Sequence, residues 1–190
     1  MIRELVLKNR SYRRFYQDVA MDLDTLRELA DLTRLSASAA NLQPLKCILS
    51  CDSQKNALIF PHLGWAGYLK GWPGPVEGER PSAYIVILND TEIESKFLDY
   101  DSGIAAHIIL LGAIEKSFGG CIIHTIQRQK LQEALKIPAR YEIRLVLALG
   151  KPKETVKIEP LGPDGDIKYW RDSEAVHHVP KRALDDIIIG

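Results

Sequence analysis

A short basic stretch near the amino terminus, Asn9–Phe15, has the residue types of an anion-binding site. It contains Arg10, Arg13 and Arg14 together with Ser11, and it ends in an aromatic residue. Arginine presents a planar fork of donors that binds oxyanions through two parallel hydrogen bonds, and serine adds a neutral donor. In an extended segment Ser11 and Arg13 point to the same side. The stretch therefore suits a phosphate beside a flat ring. The alternative hypothesis is a solvated basic loop with a structural arginine.

The composition limits the classes of partner. The chain has 190 residues, of which 46% are hydrophobic, and 25 Lys and Arg balance 25 Asp and Glu. This length fits one globular domain, residues 1–190. A neutral chain is not expected to bind nucleic acid, since duplex-binding proteins carry a basic excess. No apolar run is long enough to span a bilayer, so no membrane partner is expected. The first residues, Met1–Glu4, begin an amphipathic pattern, and a cytoplasmic location is expected.

The sequence predicts no metal site. The cysteines have no zinc-ligand spacing and are expected to be buried small side chains: Cys47, Cys51 and Cys121. Neither His124 nor the pair His177 and His178 has an acidic partner at metal-ligand spacing. His107 falls in an apolar helical pattern, so we expect a hydrogen-bonded core residue there.

The periodicity predicts an α+β domain with a central mixed sheet covered by helices. Predicted helices begin at Ile2, at Asp22 as cap, at Asp101 or Ser102 as cap, and at Gln127. The last three end near Leu35, Lys116 and Leu135. Predicted strands are Cys47–Cys51, Ala83–Leu88, Cys121–Ile123 and Glu142–Leu149, the second and fourth of them central.

Two segments have no regular pattern. Residues 54–81 are rich in glycine and proline and contain Trp65, Tyr68 and Trp72, which predicts a functional lid or an aromatic mini-core under a long loop. Residues 165–190 form a predicted carboxy-terminal arm whose apolar tail is expected to pack on its own domain or on a partner subunit. The helix that ends near Lys116 is apolar nearly all round, which indicates burial in a core or at a subunit interface.

Four motifs in order carry a family resemblance. They are Arg10–Phe15, Ser36–Pro44, Glu115–Cys121, and Leu149–Pro152 with the late Pro180–Arg182. Each motif alone is weak, but their order and spacing resemble the FMN-dependent nitroreductase family over essentially the whole chain. The resemblance implies a three-layer fold and an intertwined homodimer with FMN at the subunit interface.

The resemblance also assigns roles to residues. It implies that the phosphate and the pyrimidine edge of the flavin are met by Arg10, Ser11 and Arg13, and that the phosphate site is completed by Lys181 or Arg182, with Arg182 preferred. It implies that a loop of the other subunit approaches the ring with Ser38, Ala39, Asn41 and Gln43. It implies that the reactive edge of the ring is lined by Ser117, Phe118, Gly119 and Gly120.

Residue chemistry agrees with several of these roles. A guanidinium at the N1/C2 carbonyl edge, here Arg13, would stabilise the reduced flavin more than the oxidised one. Glycines at 119 and 120 would let a backbone approach the ring closely, because no Cβ intervenes. Trp65 and Tyr68 are expected to line the substrate pocket, where aromatic side chains favour flat, electron-poor molecules.

The implied function is an oxidoreductase. Hydride would pass from NAD(P)H through bound FMN to a nitroaromatic, a quinone or a similar acceptor with ping-pong kinetics, and the flavin itself would be the reacting centre. Two alternatives stay open. One is a flavoprotein of the same fold with another redox chemistry, such as dehalogenation, ene reduction or flavin fragmentation. The other is a non-catalytic dimeric module that binds an anionic partner.

Overall fold

The central layer of the molecule is a five-stranded sheet. A computed structural model describes residues 1–190. The strands are β1 (Phe15–Tyr16), β2 (Leu45–Ser50), β3 (Ala83–Asp90), β4 (Gly119–Ile123) and β5 (Tyr141–Pro152). β3 lies between β2 and β5, and β5 also pairs with β4 and, through its last two residues, with β1. The two strands predicted to be central, β3 and β5, therefore are central.

Helices cover both faces of this sheet, which gives three layers. They are α1 (Ile2–Lys8), α2 (Leu23–Leu35), α3 (Ser53–Ile59), α4 (Leu98–Glu115) and α5 (Arg128–Ala134). Every residue of β3 is buried, and successive side chains alternate between two cores. Ile85 and Ile87 pack with α2 and α4, whereas Val86 and Leu88 pack with α3 and α5. This confirms the predicted α+β class.

The ladders of the central sheet are all antiparallel, and its parallel contact is an isolated bridge between Ser11 and Gly120. A parallel ladder occurs in a second, small sheet made of β6 (Val156–Pro160), β7 (Trp170–Arg171) and β8 (His177–Lys181). The sequence prediction treated most of this region as an arm, because its strands are short and rich in polar residues. We call β6, β7 and β8 the C-terminal sheet.

Two predicted boundaries are wrong. The fourth helix begins at Leu98, so Asp101 lies in its first turn, Ser102 follows inside the helix, and both are buried rather than capping it. The Asp101 carboxylate instead accepts hydrogen bonds from the Ala39 backbone N–H and the Ser38 hydroxyl, both at 2.9 Å. Residues 53–62 are also not irregular, since α3 and a 3₁₀ turn occupy them and Asp52 accepts from Lys55 N–H as the cap.

One side of the molecule exposes apolar residues in the single chain. α1 has no buried residue, and α4 exposes the face that carries Tyr100, Ile104 and His107. His107 is therefore not the core residue that the apolar pattern predicts, because that pattern does not distinguish a core from an uncovered face. The tail is exposed as well, with Ile187 and Ile189 at 66% and 101%. No helix has the length and hydropathy needed to cross a membrane.

Candidate functional site

The basic stretch runs along the start of β4. Ser11 bridges Gly120, and the Tyr12 N–H donates to the Gly120 carbonyl at 3.0 Å. The fold thus brings the first predicted motif, which includes Ser11 and Arg13, beside the third, which includes Gly119 and Gly120.

Arg13 is a buried cation without a carboxylate partner. Its side chain is enclosed, at 9% exposure for the residue, and Nη1 donates to the Ser11 carbonyl at 3.1 Å and to Nε2 of His177 at 3.2 Å. The guanidinium carbon lies 4.8 Å from the centre of the Tyr169 ring. Nε and Nη2 make no hydrogen bond to protein, and no Asp or Glu pairs with the guanidinium. A buried charge normally carries a counter-ion, so this arrangement suits an anionic or electron-rich ligand.

Glu154 lies next to this cation but binds elsewhere. It is buried, and one of its oxygens accepts from the backbone N–H of Arg13. The other accepts from Nη2 of Arg171 at 3.0 Å. This carboxylate is thus occupied by donors other than the Arg13 guanidinium.

The other two arginines of the stretch differ from each other. Arg10 donates from Nη2 to the Val6 carbonyl at 2.6 Å, its buried Nε makes no hydrogen bond, and the side chain forms no ion pair. Arg14 forms a bidentate ion pair with Glu79, with both hydrogen bonds at 2.6 Å, and Nζ of Lys153 lies 3.0 Å from the same carboxylate. Hydrogen bonding from Arg14 is the main cause that lowers the pKa of Glu79 to about 2. Arg14 is therefore structural, whereas Arg10 and Arg13 keep uncompensated charges.

The glycines of β4 are explained by packing within the chain. A Cβ on Gly119 would lie 2.7 Å from the Tyr12 ring and 2.8 Å from Pro152, and a Cβ on Gly120 would lie 2.5 Å from the Ala148 carbonyl oxygen. Packing within the chain is thus enough to explain both glycines, and their approach to a flavin ring stays a prediction. Before them, Ser117 has a positive φ of 64° and Phe118 packs half-buried against the first core.

The second motif is a constrained loop at one end of α4. Ala40, Asn41 and Gln43 all have positive φ. The loop is held by Asp101, whose bonds to Ser38 and Ala39 are described above, and by the Gln43 N–H, which donates to the Ser38 hydroxyl at 3.0 Å. The sequence interpretation missed Asp101 because it placed this acid at a helix cap. A cavity of about 390 Å³ lies between the loop, α2 and α4, with Ser38, Gln43 and Asp101 in its wall.

The carboxy-terminal cations lie apart from this arrangement in the single chain. Lys181 and Arg182 border a separate cavity of about 510 Å³, whose wall contains none of the N-terminal arginines. The groups that reach Arg13 from the end of the chain are Tyr169 and His177. Sequence reasoning missed both, because nothing local indicates that this segment folds back onto residue 13.

The aromatic loop packs partly on the core and partly on the C-terminal sheet. Trp65 is half-buried against the second core, with its ring 5.9 Å from that of Phe60. Tyr68 is about half exposed, and the centre of its ring lies 4.9 Å from that of Tyr169. The Tyr169 ring in turn contacts the Arg13 guanidinium. Of the two predicted pocket residues, only Tyr68 therefore approaches the buried cation.

Comparisons with known proteins agree with the architecture. The family model described as Nitroreductase family matches residues 78–151, which run from before β3 into the end of β5. A nitroreductase family protein from Streptococcus pneumoniae TIGR4 has a TM-score of 0.72 at 19% identity, and all of each chain is covered. An FMN-dependent nitroreductase from Clostridium difficile R20291 gives 0.68 at 22%, covering 100% of this chain and 98% of that one.

A nitroreductase-type protein from Desulfovibrio desulfuricans, solved in complex with FMN, gives a TM-score of 0.71 at 20% identity and covers 100% of this chain and 95% of its own. No match was found among curated protein sequences. The class defined by these likenesses is the nitroreductase fold, shared over the full length of the chain. The family-model match to residues 78–151 and the shared fold together make this chain nitroreductase-like, as the order of its motifs predicts.

Proposed function

We propose that this chain binds FMN and acts as an oxidoreductase that uses NAD(P)H to reduce a nitroaromatic, a quinone or a similar electron-poor molecule, with ping-pong kinetics. FMN supplies the hydride-transfer chemistry when bound. The observation that carries the proposal is the pair of uncompensated cations, Arg10 and Arg13, in the segment between α1 and β1 of a nitroreductase-like fold. The FMN complex of the Desulfovibrio protein supports the same ligand.

The charge of FMN matches these cations. A phosphate monoester carries about −1.5 to −2 charges at neutral pH, so two or three Arg or Lys groups are needed near it. We assign the anionic and pyrimidine ends of FMN to Arg10, Ser11 and Arg13, with Lys181 or Arg182 completing the phosphate site in the assembled protein. Arg13 would hold its positive charge at the ring edge, where negative charge increases on reduction.

We further propose that the working form is a homodimer. The loop of Ser38, Ala39, Asn41 and Gln43 lies at the far end of α4, and its cavity contains none of the N-terminal arginines. A second copy would bring this loop to the Arg13 side of the first. It would also cover the apolar α1 and α4 surfaces, which are costly to leave in water. The segment Ser117–Gly120 would then border the flavin, and Tyr68 with Trp65 would line the substrate pocket.

The direct test is the absorption spectrum of the protein with and without added FMN, followed by NADH or NADPH. We expect a yellow complex that bleaches on reduction. Arg13→Gln removes the uncompensated cation and should weaken FMN binding at least tenfold, measured by quenching of flavin fluorescence. Arg27→Gln is the matched control, since it removes an exposed positive charge from α2 and should leave binding unchanged.

The outcome distinguishes the alternatives. A protein that never retains FMN contradicts the proposal, and an effect of Arg13→Gln on another anionic partner would then favour the binding module. A protein that binds FMN but reduces nitro compounds poorly under anaerobic conditions would favour a different redox chemistry on the same fold.

A further inference from the structure

We propose that His177 is a positioning residue for Arg13: a neutral imidazole fixes the guanidinium without neutralising it, so the full positive charge stays available to the ligand. The inference rests on the proposed function, because it assigns Arg13 to FMN. It extends that function to His177, which none of the motifs behind the resemblance includes.

The hydrogen-bond geometry determines the form of the imidazole. An arginine can only donate, so Nε2 of His177 accepts from Nη1 of Arg13 at 3.2 Å, and the ring proton must lie on Nδ1. Nδ1 is buried and has no protein partner. An unpaired buried donor costs stability. Stability alone therefore does not explain why a histidine occupies this position.

The ring is held rigidly. His177 is 1% exposed, and its backbone N–H donates to the Thr155 carbonyl at 2.9 Å. His177 lies on the middle strand of the C-terminal sheet, where its backbone pairs with Val156 of β6 on one side and Arg171 of β7 on the other. The Tyr169 ring packs at 5.0 Å on the imidazole and also lies under the Arg13 guanidinium. The Arg13 guanidinium thus contacts the Ser11 carbonyl, the His177 imidazole and the Tyr169 ring, none of which carries a negative charge.

Burial and the surrounding positive charges keep the imidazole neutral. Burial first, and then the cations Arg13, Arg171 and His178, lower the pKa of His177 to about 4. The carboxylates of this region are bound to groups other than the Arg13 guanidinium. Glu154 binds Arg171 and the Arg13 backbone N–H. Glu159 and Asp172 both bind His178. The local ion pairs therefore leave the Arg13 guanidinium without a counter-charge.

The experiment compares two variants of nearly equal shape. His177→Gln places a neutral amide oxygen near the position of Nε2, and His177→Glu places a carboxylate there. We expect the Gln variant to bind FMN within about threefold of the wild type. The Glu variant should bind FMN at least tenfold more weakly, because the new carboxylate neutralises Arg13.

The midpoint potential of the bound flavin gives a readout that a structural role would not change. A carboxylate beside Arg13 should destabilise reduced flavin relative to oxidised flavin. A tenfold change in their binding ratio lowers a two-electron potential by about 30 mV. We therefore expect a more negative potential for the Glu variant than for the Gln variant, with thermal unfolding confirming that both are folded.

Equal FMN affinity and equal potential in the Gln and Glu variants would overturn the inference while leaving the proposed function intact. Loss of FMN binding in the Gln variant, with its fold retained, would also overturn it, since a neutral acceptor would then not suffice. A wild-type protein that binds no FMN would instead overturn the proposed function itself.

Discussion

At the scale of single residues, two adjacent histidines on β8 have opposite environments. His177 faces cations and is buried, whereas His178 lies between two carboxylates, with Nδ1 2.7 Å from Glu159 and Nε2 3.0 Å from Asp172. Hydrogen bonding to Asp172 and then to Glu159 raises the pKa of His178. The sequence showed no acidic partner at metal-ligand spacing for this residue, and Glu159 is brought near by the pairing of β6 with β8.

This environment predicts a pH dependence of stability. Because its pKa is raised on folding, protonated His178 stabilises the fold fully below the ordinary histidine value of about 6.5, and this contribution is lost as pH rises through the raised value. His178→Gln should therefore lower the free energy of unfolding more at pH 6 than at pH 9, as measured by urea denaturation. An equal loss at both pH values would contradict the ion-pair interpretation.

At the scale of elements, one ion-pair cluster joins three parts of the chain. Arg14 precedes β1, Glu79 lies in the loop that leads to β3, and Lys153 follows β5. The N-terminal stretch is thereby held against the sheet while Arg10 and Arg13 stay free of carboxylates. Arg14 thus holds in place the segment whose other two arginines we propose as FMN ligands, although all three look alike in the sequence.

Removing the shared carboxylate should loosen this junction. Glu79→Gln is expected to lower stability by about 1–3 kcal/mol at pH 7, since two cations lose their partner in a partly buried site. The pKa of Glu79 is lowered to about 2, so its contribution is present above the ordinary carboxyl value and lost as pH falls through about 2. Wild type and variant should therefore converge in acid unfolding curves.

The matched control is Glu77→Gln in the same loop. Glu77 is exposed and pairs with Arg80 at 2.7 Å, so its removal should cost less than about 1 kcal/mol. If Glu77→Gln lowered the free energy of unfolding as much as Glu79→Gln, the loss would reflect any charge change in this loop. The ion-pair cluster of Glu79 would then have no particular role in stability.

At the scale of the whole molecule, the exposed apolar faces of α1 and α4 predict self-association. Ile104 lies in the middle of the α4 face, between Tyr100 and His107, and a carboxylate there cannot be buried without a partner. Ile104→Asp should convert the proposed dimer into a monomer, measured by light scattering after size exclusion. It should also weaken FMN binding, because the loop of Ser38 would come from the second subunit.

Leu58→Asp provides the comparison on the opposite face of the sheet. Leu58 is 47% exposed on α3, which packs on the second core, away from α1 and α4. This variant should remain dimeric and retain FMN. Dissociation caused by both variants, or by neither, would place the subunit contact elsewhere.

The sequence by itself determined the elements whose signals are local. The Asp22 cap of α2 and the apolar runs of β3 and β5 were predicted because hydrophobic period and capping chemistry depend only on neighbouring residues. The order of the motifs also indicated the nitroreductase-like class before any contact was known.

Only the tertiary structure decided which charges are compensated. Arg13 meets His177 across 164 positions, and Asp101 meets the loop of Ser38 across 63. Such contacts depend on the path of the whole chain, and in particular on the small sheet formed by the last strands. The three arginines of one short stretch therefore have different roles, and their residue types alone could not separate them.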